Sequence, residues 1–183
     1  MTIEKLLSEK RAGIIKRWVQ LTLETYPSDS RRFLKKRKDR FANPVGTTLT
    51  GEIEKLYDAF LEGADEERIS PALEKIIRIR AVQDFTPAQA VSFVFLLKGI
   101  VRAELGRELE KPSSLKALLD WDSRVDAIAL LAFDIYGKCR EDIYNIRTNE
   151  VRNQYSRLLK RAGLVVDISN GEKNISQDNY EKR

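Results

Sequence analysis

The chain contains no histidine among its 183 residues. Zinc sites with histidine ligands, histidine-held haem, Ser-His-Asp triads and Cys-His dyads all need an imidazole, so the sequence excludes each of them. It has one cysteine, Cys139, which can form neither an internal disulfide nor a CxxC redox pair. We therefore predict a cytoplasmic protein that holds no cofactor and no metal.

Long hydrophobic runs are also missing. The longest uncharged stretch, residues 85–97, contains Pro87, Gln89 and Ser92. It stops at Lys98, well short of the ~20 apolar residues that a membrane span requires. The N-terminal segment lacks the apolar core of a signal peptide, because charged residues return every few positions. We expect no membrane span and interpret residues 85–97 as part of a buried helix.

Motifs for catalysis or phosphate binding are absent. The sequence has no GxxxxGK[ST] loop and no nucleophile elbow, and without histidine it has no ExxH pair for a di-iron site. Two acidic pairs, Glu66 with Glu67 and Asp120 with Asp122, are expected to flank helix starts, where carboxylates interact favourably with the helix dipole. We predict that the protein is not an enzyme.

The net charge of +5 is concentrated in one segment. Residues 31–40 (RRFLKKRKDR) contain seven basic residues and one acidic residue, so the rest of the chain is close to neutral. A solvated helix, or a patch that meets an acidic partner, is the simpler interpretation of such a run. Nucleic acid or an anionic surface is the alternative, although no aromatic interleaving or recognition-helix motif supports it. The residues of this candidate patch are Arg31, Arg32, Lys35, Lys36, Arg37 and Lys38.

Apolar residues spaced three and four apart predict helices along most of the chain. They indicate helices over residues 2–26, from 28 or 29 to about 41, 49–63, from about 65 or 70 to 84, and 88–109, with a turn over 42–47. Asp65 or Ser70, and then Thr86 before Pro87, are the expected helix caps. No hairpin motif or internal repeat is present. The sequence predicts an all-α fold.

A proline-free segment over residues 123–163 predicts a long last helix. Apolar residues recur along it at the spacing of a helix seam, which permits either parallel packing in a homodimer or burial against the same chain. Residues 164–183 are rich in polar residues and glycine, so we predict a disordered tail after a domain of residues 1–163. The seam residues are Val125, Ile128, Ala132, Ile135, Cys139 and Ile146.

Two stretches resemble a known family: DRFANPVG at residues 39–46 and IIRIRAVQDFTPAQAVSFVFLLK at residues 76–98. Together with Trp18 and with Tyr26 before Pro27, they are similar to the N-terminal domain of the RsbT co-antagonist RsbRD family, over about residues 3–160. The resemblance implies an all-helical sensory or regulatory module, similar to a globin that has lost haem, and it implies a protein partner.

Domains of this kind precede STAS domains, which contact partner proteins and carry phosphorylation sites, or precede histidine kinases. No segment after Gly163 is long enough to be such an output domain. We therefore expect a stand-alone, non-enzymatic sensor or adaptor, in which a ligand or partner that binds one of two helix packings better biases the equilibrium between them.

Polar residues within apolar stripes, together with the matched motifs, suggest where a small-molecule pocket would lie. Arg78 and Arg80 fall among isoleucines, and a buried polar group must find partners or line a wet cavity. Interhelical hydrogen bonding is the simpler interpretation, and a ligand pocket is the alternative. The candidate pocket residues are Trp18, Phe41, Gln83, Ser92, Phe93 and Lys98.

Overall fold

The computed structural model describes residues 3–36, 43–83, 85–106, 108 and 112–164. Within these ranges the chain forms helices and turns and no strand, so the all-α prediction is confirmed, and the arrangement is consistent with a globin-like bundle. The predicted tail, from residue 165 on, lies outside the described residues. The helices are α1 (Ile3–Glu9), α2 (Arg11–Glu24), α3 (Ser28–Lys36), α4 (Pro44–Leu61), α5 (Glu66–Val82), α6 (Pro87–Leu105) and α7 (Pro112–Arg161).

The chain forms two compact units, residues 1–141 and 142–183. In the first unit, α4 packs most extensively against α5, and α2 packs against α6 and α4. In the second unit, the described residues 142–164 are exposed apart from the half-buried Ile143. The largest fully buried side chains of the first unit are Trp18, Arg80, Tyr57, Phe60, Phe93, Leu7, Ile14, Leu49, Ile53, Leu56, Leu73 and Ile76.

The single helix predicted over residues 2–26 is two helices that meet at Lys10. The backbone of Lys10 leaves ideal helical geometry, with φ −94° and ψ 7°. Leu7, before the break, and Ile14, after it, are both fully buried. The break thus allows the apolar stripes of α1 and α2 to reach the same core.

Helix α4 begins earlier than predicted, because Asn43 provides an N-cap that the sequence pattern concealed. The Asn43 side chain accepts a hydrogen bond from the Gly46 amide at 2.9 Å and donates one to the Leu34 carbonyl at 2.6 Å. Pro44 occupies the first helical position, where its missing N–H costs nothing. A Cβ atom at Gly46 would lie 2.3 Å from the Asn43 amide nitrogen, so this cap requires glycine there.

The caps predicted around α5 and α6 are confirmed. Asp65, one of the two candidates, caps α5 by accepting from the Arg68 amide at 3.2 Å. Thr86 and Gln89 form a reciprocal capping box at the start of α6. Glu66 and Glu67 lie in the first turn of α5, as expected. Helix α6 ends at Leu105 rather than Leu109.

Helix α7 begins at Pro112, eleven residues before the predicted start at Ser123. The Lys-Pro-Ser-Ser stretch was interpreted as a break, but proline is tolerated in a first helical turn. The buried Leu118 and Trp121 extend the apolar stripe toward that start. Asp120 and Asp122 therefore lie inside α7, and the prediction that they flank a helix start is wrong; Asp122 forms an ion pair with Arg102 of α6.

Candidate functional site

Arg80 lies on the inner face of α5 and is fully buried, with a relative exposure of 0%. Its Nη2 donates to the Thr25 hydroxyl at 2.9 Å and to the Gln89 carbonyl at 2.8 Å. No described carboxylate forms an ion pair with it. A buried guanidinium without a counter-ion is unusual, because taking a charge out of water costs several kcal/mol unless the charge is paired.

Aromatic rings surround the Arg80 guanidinium. Its Cζ lies 4.3 Å from the ring centre of Phe85, 5.2 Å from that of Tyr26 and 5.6 Å from that of Phe93. Phe85 and Tyr26 also contact each other edge to face, with ring centres 4.9 Å apart. The negative faces of aromatic rings attract cations, so these contacts compensate part of the desolvation cost of Arg80.

Four buried polar atoms of Arg80, Tyr26 and Thr22 have no hydrogen-bond partner. They are Nε and Nη1 of Arg80, the hydroxyl of Tyr26 and the hydroxyl of Thr22. Burial lowers the pKa of Arg80. Burial also raises the pKa of Tyr26, although the charge of Arg80 acts in the opposite direction. Nε and Nη1 of Arg80 can only donate a hydrogen bond, whereas the two hydroxyls can both donate and accept, so the donors that lack an acceptor are those of Arg80.

A cleft of about 400 Å³ adjoins this cluster. Four residues that contact Arg80 also line the cleft: Thr25, Tyr26, Phe85 and Gln89. Arg31 lines it from α3 and donates through Nη2 to the Tyr26 carbonyl at 3.2 Å.

The cluster is also connected to α7. The Tyr136 hydroxyl donates to the Phe85 carbonyl at 2.5 Å, and Arg140 donates through Nη1 to the Ala81 carbonyl at 3.1 Å. Phe85 therefore contacts Arg80 with its ring and α7 with its backbone. A shift of Phe85 would disturb both contacts.

Residues 12–151 match the family model described as the RsbT co-antagonist protein rsbRD N-terminal domain. The chain belongs to this family. The matched range contains the whole Arg80 cluster, together with the residues of α7 that contact it. No curated protein and no solved structure gives a significant match.

The rsbRD N-terminal family consists of regulatory sensor-type domains of stress-response signalling, and it implies participation in protein interactions. The chain is accordingly a signalling domain. Within the described ranges, none of its helices combines the length and the apolar character needed to cross a bilayer.

The structure brings two of the predicted pocket residues of this rsbRD N-terminal domain together. The Trp18 indole donates to the Phe93 carbonyl at 2.7 Å, and the two rings stack with centres 6.1 Å apart. Both side chains are fully buried. Phe93 also contacts Arg80, so the Trp18–Phe93 pair adjoins the Arg80 cluster. Phe41 is outside the described residues.

The other described pocket candidates, Gln83, Ser92 and Lys98, each have different contacts. Gln83 is the exposed C-cap of α5 and lines the cleft beside Arg80. The Ser92 hydroxyl donates to the Gln89 carbonyl at 2.8 Å and borders a groove between α6 and α7. Lys98 forms an ion pair with Asp126 of α7, with 2.6 Å between Nζ and Oδ1. The pocket stays a prediction.

The basic segment is described only in part. Residues 31–36 are helical in α3, and Arg31 contributes to the cleft beside Arg80. The side chains of Arg32, Lys35 and Lys36, and the whole of Arg37 and Lys38, lie outside the described residues. The anionic-partner patch therefore stays a prediction.

The predicted seam of α7 is largely buried within the first unit. Four of its six residues are buried there: Val125, Ile128, Ala132 and Cys139. Ile135 is half-buried, and Ile146, in the second unit, is 59% exposed. These contacts favour burial against the same chain at those four positions, while the homodimer stays a prediction.

A different face of α6 and α7 exposes large apolar side chains. Phe95, Leu130 and Phe133 have relative exposures of 48%, 70% and 54%. They border an apolar groove of about 560 Å³. Sequence periodicity did not predict this face, because Leu130 and Phe133 lie outside the positions of the seam.

Arg80 is recognisable in the sequence as a polar residue in an apolar stripe, but it is not among the predicted pocket residues. Thr22, Tyr26 and Phe85 are not among them either. The available signal was an arginine flanked by Ile76, Ile77, Ile79 and Ala81, a position that predicts a buried guanidinium.

Proposed function

We propose that this domain is a non-enzymatic sensor that acts as a homodimer through the exposed face formed by Phe95, Leu130 and Phe133. The observation that carries this proposal is the exposure of those three side chains around one groove. Contiguous apolar surface of this kind marks protein-binding sites, whereas isolated exposed apolar residues are common.

A second copy of the chain fits this face. Leu130 and Phe133 lie on one side of α7, three residues apart. A two-fold axis near them would place each against the same residues of the partner, as an isologous interface requires. The ion pair between Lys98 and Asp126 borders the face and would supply part of a polar rim.

Signalling would follow from a population shift. The apolar face includes residues of α6 and α7, so any change in how these two helices pack alters the surface presented to a partner. A ligand that binds one packing better than the other would shift the population by its difference in affinity. No catalytic step is required.

Mass measurement in solution tests the dimer. We expect the wild-type chain to be a dimer by light scattering and native mass spectrometry, and the double variant Leu130→Glu, Phe133→Glu to be a monomer with unchanged helical content. Leu115→Glu is the matched control, because Leu115 is an exposed α7 leucine outside the groove, with 57% exposure. A monomeric wild type, or a dimer that persists in the double variant, would overturn the proposal.

Nucleic-acid or anionic-surface binding through residues 31–40 is the second predicted function. Salt dependence distinguishes it, because an affinity that rests on six or more phosphate contacts falls by orders of magnitude between ~50 and ~200 mM salt. An affinity that is flat over this range would remove it.

A further inference from the structure

We propose that the Arg80 cluster is a binding site for a small organic monocarboxylate, which reaches the guanidinium through the cleft lined by Thr25, Tyr26, Phe85 and Gln89. This inference extends the proposed sensor function by naming the chemical class of its ligand. The binding itself does not depend on the dimer.

The unpaired hydrogen-bond donors of the cluster indicate that its ligand is an anion. The unpartnered buried atoms are Nε and Nη1 of Arg80, the Tyr26 hydroxyl and the Thr22 hydroxyl. Buried polar groups are almost always hydrogen-bonded, so the two unpartnered nitrogens of Arg80 need an explanation. A carboxylate is an acceptor only, and its two oxygens supply about four acceptor positions. It would satisfy the donors that the chain itself leaves unpaired.

Charge and polarity narrow the class of anion. Arg80 contributes one positive charge, which a single carboxylate neutralises, whereas doubly charged phosphate would leave excess negative charge in a buried site. The rings of Phe85, Tyr26 and Phe93 around the guanidinium offer apolar contact to a carbon chain. Inorganic phosphate has no such chain. A monocarboxylate with a short aliphatic tail therefore fits best.

A ligand in the cleft reaches Arg80 if the residues between them move locally. Arg80 itself is fully buried, but the four residues between it and the cleft contact it directly. Arg31 and Glu24 both line the cleft, so its lining carries one charge of each sign.

The site is connected to the surface proposed for the partner. Phe85 lies 4.3 Å from the Arg80 guanidinium, and its carbonyl accepts from Tyr136 of α7. A ligand that displaces the Phe85 ring from Arg80 would move the backbone to which α7 is bonded. Occupancy of the site would thereby change the position of α7, which carries Leu130 and Phe133.

Trp18 provides a direct readout of occupancy. It stacks on Phe93, which in turn contacts Arg80, so its fluorescence depends on the state of the cluster. The chain has two tryptophans, and the Trp121→Phe variant leaves Trp18 as the only one. In this background, sodium acetate and sodium butyrate are titrated separately. Sodium chloride of equal ionic strength, acetamide and inorganic phosphate serve as comparisons, and melting temperature is the second readout.

We expect acetate or butyrate to change Trp18 fluorescence saturably and to raise the melting temperature, with butyrate binding more tightly. Chloride, acetamide and phosphate should not do so. Arg80→Met should abolish the change, whereas Arg78→Met should retain it, because Arg78 is exposed on α5 and pairs with Glu74. Tyr26→Phe removes one donor and should weaken binding about 5- to 10-fold.

Three results would overturn the proposal. One is the lack of any saturable response to either carboxylate beyond the response to chloride. Another is a response that persists in Arg80→Met, and the third is a response to phosphate alone. If Arg80→Met does not fold, the comparison of Tyr26→Phe with Arg78→Met decides. Binding is measured independently of subunit count, so a monomeric chain that binds carboxylate would refute only the dimer.

Discussion

The first unit contains two buried polar regions that differ in how well their groups are satisfied. In one region, the Tyr57 hydroxyl donates to the Leu7 carbonyl at 3.0 Å, and Glu52 accepts from Lys55 at 2.9 Å and from Lys75 at 3.2 Å. In the other region, Nε and Nη1 of the buried Arg80 have no partner. The same chain thus satisfies one set of buried groups and leaves another set unsatisfied.

The difference is consistent with the proposed carboxylate site at Arg80. Burial alone would raise the pKa of Glu52, but hydrogen bonds from Lys55 and Lys75 bring it below its usual value. The protein thus supplies what Glu52 needs. Arg80 receives two neutral acceptors and aromatic contacts but no anion from the described residues, which is the pattern expected of a group positioned for a ligand.

Removing both lysine partners of Glu52 should have the largest effect. We expect Lys55→Met with Lys75→Met to lower the free energy of unfolding by about 2 kcal/mol, because it leaves a buried carboxylate unpaired. Urea unfolding near neutral pH measures this loss. Lys5→Met with Lys16→Met is the control, since both lysines are exposed. An equal loss in the control would show that Glu52 does not depend on its pairing.

The two buried tyrosines offer a closer comparison. Tyr57→Phe should cost about 1 kcal/mol, because it breaks a buried hydrogen bond and leaves the Leu7 carbonyl without that donor. Tyr26→Phe removes a hydroxyl that has no partner, so its unfolding free energy should be unchanged or higher. The same urea experiment applies to both variants. If Tyr26→Phe costs as much as Tyr57→Phe, the two regions are equally satisfied.

Arg80→Met should have a small effect for so buried a residue. The variant loses two hydrogen bonds and its aromatic contacts, but it also relieves the desolvation of an unpaired charge. We expect the unfolding free energy to change by less than about 1 kcal/mol in either direction. Arg78→Met, on the exposed side of the same helix, is the reference. A loss of about 3 kcal/mol or more would mean that Arg80 mainly stabilises the fold.

The pH dependence of the unfolding free energy, through Glu52, should be the smallest of these effects. The folded-state pKa of Glu52 lies below its ordinary value of 4.5. Its contribution to stability is therefore present above that value and is lost as the pH falls through the folded-state pKa. On acidification, the free energy of unfolding of the wild type should fall further than that of Glu52→Gln. The difference should be less than about 1 kcal/mol, because both lysine partners are more than half exposed. Unfolding measured from neutral to acidic pH tests this, and parallel curves would contradict it.

Sequence patterns predicted the parts of this fold that depend on local chemistry. Thr86, Pro87 and Gln89 specify the start of α6 within four residues, and Asp65 specifies that of α5. The start of α7 was not predictable in the same way. Pro112 is compatible both with a break and with a first helical turn, and tertiary burial of Leu118 and Trp121 decides between them.

The candidate site was less predictable, because it depends on contacts between distant positions. The unusual residue, Arg80, is visible in the sequence as an arginine in an isoleucine-rich stripe. Its partner Thr25 is 55 positions away, and the rings that surround it come from three separate segments. No spacing rule relates these segments, since the packing of α2, α5 and α6 brings them together.

The single cysteine has a practical consequence for measuring motion in this protein. Cys139 lies on α7 and is 7% exposed, close in sequence to Tyr136 and Arg140, which bond to Phe85 and Ala81. A thiol reagent reaches it only when this part of α7 opens, so the rate of modification reports the free energy of local opening. The rate at which Cys139 is labelled therefore measures how readily this part of α7 opens.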